Sequence, residues 1–218
     1  MKNNEIFSHI DHTLLKATAT RSEIDALCQE AMIYRTASVC IPPCYVEYAA
    51  INYPELNICT VIGFPLGYQT TAVKCAEAED AIKNGADEID MVVNLTDVKN
   101  GNFDAVTSEI KSLKFTCGKK ILKVIIETCY LTEDEKIRLC GCVTEGGADY
   151  IKTSTGFGTA GADIEDIRLF KKHIGKNVKI KAAGGIKTKE QLELFLNEGC
   201  DRIGTRSEER RVGKECRL

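Results

Sequence analysis

The run DYIKTSTGFG, residues 149–158, sets Lys152 inside a β-branched stretch and follows it with Ser, Thr and Gly. On an edge strand Lys152 would be an ordinary solvated cation. Three neighbouring runs point to another use. Along 87–94, Glu88, Asp90, Val92 and Asn94 share one face of an extended chain, and along 120–127, Lys123, Ile125 and Glu127 do. Tyr150, Lys152 and Ser154 form a third set, and Lys179, Lys181 and Ala183 a fourth. Four successive runs thus carry ionisable groups at period-2 positions. If that face is interior, the charges must be paired or titrate far from their ordinary values, because an isolated buried charge costs too much to keep.

A lysine becomes a nucleophile by losing its proton, which desolvation and a neighbouring cation both favour. Adjacent parallel strands lie about 4.8 Å apart, so inward Lys152 and Lys181 at similar height would repel. The neutral amine of Lys152 could then attack a carbonyl and form a Schiff base, whose protonated imine is an electron sink for C–C cleavage without a metal. Asp90 could move protons as a general acid/base, or be a plain salt-bridge partner of Lys181 or Lys123. Lys179 shares the inward parity and is expected at the bottom rim, its ammonium reaching solvent.

The elements that must position these groups alternate. Short apolar or β-branched runs occur at 37–43, 57–64, 87–94, 120–127, 149–155, 178–185 and 202–205, with a first candidate at 7–13. Helical spacing fills the gaps. Thr20 is a helix N-cap candidate, Gly85 a stop signal, and Thr132 with Glu135 a capping box. Strands alternating with helices imply a parallel sheet buried on both faces. Eight strands in roughly 205 residues favour a single-domain α/β fold, the (β/α)8 TIM barrel, over a doubly wound sheet. The latter usually carries a glycine fingerprint after its first strand, and HTLLKATAT has no glycine. Asp90, Lys152 and Lys181 lie toward the C-terminal halves of their strands, the end where barrel active sites form. Glycine-rich loops at STGFG, AAGGIKT and IGT fall at that end and could bind an anion through backbone N–H groups.

The 218 residues carry a net charge of −3, which gives no basic balance of the kind nucleic-acid binders show. No apolar run is long enough for a bilayer, and the N-terminus has no signal-peptide core, so a cytoplasmic protein with neither nucleic-acid nor membrane partner is expected. The cysteines number 11, an odd count with scattered spacing, and read as free thiols. Cys40 with Cys44 and Cys140 with Cys142 do not complete a tetrahedral set, so no metal is expected.

DEIDMVVN, KVIIET, DYIKTSTGF and KAAGGI, with SVCIPP and VIGFPLG upstream, resemble deoxyribose-phosphate aldolase from about residue 5 to residue 205. The resemblance implies a class I aldolase that cleaves 2-deoxy-D-ribose 5-phosphate reversibly to acetaldehyde and D-glyceraldehyde 3-phosphate, without a cofactor. It implies Lys152 as the Schiff-base lysine, Lys181 as the lysine that perturbs it and Asp90 in the proton relay. It also implies Lys123, Cys40 and Asp11 lining the pocket, and Gly156, Gly184, Gly185 and Gly204 cradling phosphate. A homodimer or homotetramer is expected on the same ground. The alternatives are another Schiff-base enzyme such as a transaldolase, and a barrel that binds sugar phosphates without turning them over.

The family pattern after Thr205 asks for small residues, usually a serine pair, opening a phosphate-binding helix. Here Arg206 takes the first place and only Ser207 remains. Residues 206–218 carry five basic and three acidic residues with no apolar stripe, and read as a non-native tail to a barrel of residues 1–205, whose last helix is expected to be missing or disordered. Chemistry is expected to survive with weakened substrate binding. Restoring a Gly-Thr-Ser-Ser ending should therefore lower KM, and an unchanged KM in steady-state kinetics would refute the expectation.

Overall fold

The computed structural model describes residues 3–206. Eight strands, β1 (Ile10–Thr13), β2 (Ser38–Ile41), β3 (Ile58–Ile62), β4 (Glu88–Val92), β5 (Ile121–Ile125), β6 (Tyr150–Lys152), β7 (Lys179–Ala183) and β8 (Arg202–Arg206), pair in chain order as a closed parallel barrel. Closure joins β8 to β1 through Asp11↔Gly204 and Thr13↔Arg206. The TIM barrel expected from the alternation is the observed fold.

Helices surround it: α1 (Asn3–Phe7), α2 (Arg21–Tyr34), α3 (Val46–Asn52), α4 (Thr71–Lys83), α5 (Leu95–Lys99), α6 (Phe103–Cys117), α7 (Glu133–Glu145), α8 (Ile164–His173) and α9 (Lys189–Glu198). The outward residues of the strands, among them Ile89, Met91, Leu122, Val124, Ile151 and Ile180, form one apolar layer with the inner helix faces. The main core is therefore a shell around the barrel, and the lumen is left to other chemistry.

Local signals act as expected at several ends. The Thr132 hydroxyl accepts from the Glu135 N–H, and the Glu135 carboxylate accepts from the Thr132 N–H, starting α7. Lys171 and Lys172 lie in the last turn of α8, where cations favour the helix C-terminus. Other boundaries differ from expectation. The 7–13 run splits, because Ile6 and Phe7 are buried as a short helix and Phe7 stacks on Tyr34, leaving only Ile10–Thr13 to pair. The 149–155 run pairs only over Tyr150–Lys152, because beyond it the Thr153 hydroxyl bonds to the backbone of Ala183 at the end of β7, and the Thr155 N–H and hydroxyl donate to Glu127. Besides α1, the helices α3, α5 and α6 complete the shell, and α6 buries the regular stripe Phe103, Val106, Ile110, Leu113 and Cys117. The tail was expected to begin at Arg206, but the backbone of that residue belongs to β8, paired with Thr13; the rest of the tail, 207–218, and the missing last helix lie outside the described residues. No helix among the described residues is long and apolar enough to cross a membrane.

Among the described residues, the shell holds a buried ion pair. Lys74 on α4 donates to Glu109 Oε1 on α6 at 2.9 Å and to the Val92 carbonyl at 2.8 Å. Both side chains are nearly or fully buried. Desolvation pushes the Glu109 carboxyl up and the Lys74 ammonium down, while the pairing opposes both. Removing one partner strands the other, which costs about 3–5 kcal/mol. Glu109→Leu should lose that much in urea denaturation, and adding Lys74→Met should recover most of it. An additive double variant would refute the coupling.

Candidate active site

Strand register brings the inward groups together before any side chain is considered. Asp90 pairs with Lys123, Lys152 with Lys181, and Lys181 with Arg202. In-register residues of parallel neighbours point the same way, so these five side chains enter one lumen.

Asp90 is the hub and is fully buried. Its Oδ2 accepts from both Lys152 Nζ and Lys181 Nζ, each at 2.7 Å. Its Oδ1 accepts from Lys123 Nζ at 2.8 Å and from the Cys59 thiol at 3.2 Å. Asp90 is thus the ion-pair partner of both Lys123 and Lys181, and it also touches Lys152. A carboxylate oxygen bridges the two lysines, where parity alone suggested direct repulsion.

The remaining charges are tied to this hub. Lys123 lies 2.5 Å from Glu88 and 3.5 Å from Asp11. Lys181 also pairs with Asp11 Oδ2, and Arg202 with Asp11 Oδ1 and, at 3.2 Å, with Glu88. Ser38 donates to Asp11 at 2.8 Å. Burial pushes the Asp90 carboxyl up, but the pull of Lys123, Lys152 and Lys181 outweighs it and holds the group well below the usual carboxylate range. Asp11 follows the same pattern, with Lys181, Lys123 and Arg202 overcoming burial. Burial alone would lower Lys181 and Lys123, yet the surrounding carboxylates raise both ammonium groups above their ordinary range. The Cys59 thiol is pushed well up, by burial first and by its neighbours second.

Above the hub a cavity of about 180 Å³ opens at the C-terminal ends of the strands. Lys152 reaches it, together with Thr155, Gly156, Gly184, Gly185 and Gly204. Gly184 has φ +87°, and a Cβ there would lie 3.0 Å from the Cα of Gly161 and 3.6 Å from that of Gly156. Backbone thus packs on backbone along this wall. Asp90, Lys181, Lys123, Asp11 and Cys40 lie beneath, buried and outside the cavity lining. Ser207 falls outside the described residues. Lys179 is exposed at the opposite rim, over the Tyr150 ring.

Arg202, Ser38, Cys59 and Thr155 were not singled out from the sequence. Arg202 lies two residues before Gly204 in β8, on the same strand face, so that residue was legible; the other three carry no pattern. His9 and His12 belong to the frame, bonding to the Asp201 carbonyl and to Glu30. The metal-type groupings Cys40–Cys59–Asp90 and Asp11–Cys59–Glu88 have all their carboxylates already engaged by lysine or arginine.

The sequence of residues 6–205 matches the model of the DeoC/LacD family aldolases. A deoxyribose-phosphate aldolase from Clostridium botulinum (strain Eklund 17B / Type B) is 63% identical over 206 residues, covering 94% of this chain and 93% of its own. Among solved structures, the aldolase QR15 superposes with TM-score 0.92 at 36% identity, over 97% of this chain and 95% of its own. A tetrameric deoxyribose phosphate aldolase from Aeropyrum pernix does so with TM-score 0.89 at 30% identity, over 97% and 91%. The chain belongs to the DeoC/LacD family of aldolases and is a carbon–carbon lyase.

Proposed function

We propose that the lumen performs class I aldol chemistry through an imine at Lys152, cleaving 2-deoxy-D-ribose 5-phosphate reversibly to acetaldehyde and D-glyceraldehyde 3-phosphate. One observation carries this reading: of Lys123, Lys152, Lys181 and Arg202, the lumen cations among the described residues, Lys152 lines the cavity and has the fewest carboxylate partners. Lys123 has three, Lys181 two and Arg202 two.

Charge balance supports the same residue. Asp11, Glu88 and Asp90 match Lys123, Lys181 and Arg202 when Lys152 is the free amine. The amine adds to the C1 carbonyl of the open-chain sugar, and loss of water gives the imine. Its protonated form restores a cation beside Asp90 Oδ2. The C3 hydroxyl then gives up its proton as the C2–C3 bond breaks, and that electron pair enters the enamine. Glyceraldehyde 3-phosphate leaves, C2 takes a proton, and hydrolysis frees acetaldehyde. Asp90 and Lys181, in contact with the nitrogen of Lys152 or with each other, form the proton relay. Lys123, Asp11 and Cys40 support the relay from below.

The glycine wall supports a phosphate site: Gly156, Gly184, Gly185 and Gly204 let backbone approach the ligand closely, with Ser207 as a further donor. A cytoplasmic homodimer or homotetramer completes the reading.

Incubation with acetaldehyde and borohydride should add mass to the peptide carrying Lys152, and Lys152→Ala should abolish it. A protein that binds sugar phosphate without any adduct would refute catalysis. The buried carboxylates make a second expectation. Asp11 and Asp90 titrate lower when folded than when unfolded. Their stabilisation is therefore fully present above the unfolded value, about 3.9, and is lost as pH falls toward the folded values. Asp11→Asn should cost about 3–5 kcal/mol near neutrality by stranding Lys181 and Arg202, and thermal melts should show a shallower loss of stability on acidification. An unchanged acid profile would refute it.

A further inference from the structure

We propose that Glu127 is a positioning residue that clamps the turn following Lys152 against the cavity and thereby sets the preference for a phosphorylated substrate; this rests on the reading just given. Glu127 follows β5 at φ 54° and ψ 66°, a left-handed conformation that a non-glycine residue holds only under tertiary constraint. Its side chain is 2% exposed, yet it makes no ion pair with the lumen hub. Both carboxylate oxygens face one residue. Oε1 accepts from the Thr155 N–H at 3.1 Å, and Oε2 accepts from the Thr155 hydroxyl.

The hydrogens fix the direction of the network. Thr155 Oγ1 accepts from the Phe157 N–H at 3.0 Å, so its own proton is free to go to Glu127. One carboxylate thus orders Thr155, Gly156 and Phe157, three consecutive residues of the cavity wall. The Thr128 N–H donates to the Thr153 carbonyl at 2.9 Å, tying the same two segments a second time. Gly158 completes the fit, because a Cβ there would lie 2.7 Å from Cys129 Sγ and 3.2 Å from the Glu127 carboxyl carbon. Nothing in the aldol step calls on Glu127. The turn it holds is the part of the wall assigned to the phosphate.

Glu127→Gln puts an amide donor against a site built from two donors. It should lower the ratio of kcat/KM for 2-deoxyribose 5-phosphate over that for unphosphorylated 2-deoxyribose by about tenfold or more. The loss should lie in KM, and acetaldehyde should still trap at Lys152. Thr155→Val should reproduce the effect and Thr155→Ser should largely spare it. Equal loss on both sugars with a lowered Tm, or an unchanged ratio in both Glu127→Gln and Thr155→Val, would overturn the clamp. Absence of the trapped adduct in the unaltered protein would instead overturn the imine chemistry, leaving the KM ratio to judge the clamp alone.

Discussion

A single oxygen, Oδ2 of Asp90, holds the side-chain nitrogens of Lys152 and Lys181 at 2.7 Å each inside a closed sheet. A cation would be expelled from a dry interior without such a carboxylate, and the carboxylate could not stay ionised there without cations around it. The rest of the lumen can be understood as what keeps this contact affordable. Lys123 takes the other Asp90 oxygen, Asp11 takes the far side of Lys181, and Arg202 and Glu88 close the remaining valences.

The barrel makes such an arrangement possible because it divides its two faces completely. Outward strand residues and helix stripes form a continuous apolar shell, which supplies the burial that stabilises the fold. The inward face is freed from that duty. Charged groups from β1, β4, β5, β6, β7 and β8 meet there although they lie far apart in the chain. Only Lys152 stands at the border between this ionic floor and the glycine-walled cavity.

Much of this was legible from residue types at period 2, because parity is a backbone property and register in a parallel barrel follows from it. That is why Glu88, Asp90, Lys123, Lys152 and Lys181 could be placed on one face before any coordinates. Parity could not show that Asp90 stands between the two lysines, since that depends on side-chain reach across the lumen. Cys59 looked like any buried thiol, and its contact with Asp90 is a matter of height in the barrel. Glu127 was placed on the inward face, but the chain turns left-handed there and directs it to the neighbouring loop. The first strand was misjudged at its start because Ile6 and Phe7 satisfy a buried helix as well as a buried strand.

The seam between β1 and β8 has a further consequence for how the chain comes into being. Asp11 meets Arg202 across 191 residues of sequence, and its other cationic partners, Lys123 and Lys181, also come from the second half of the chain. Contacts of such long span form slowly, and chains are made from the N-terminus onward. On the ribosome, the first strand therefore emerges with its carboxylate unmatched and cannot meet Arg202 until β8 has been made. Ring closure in this molecule waits on the arrival of its eighth strand.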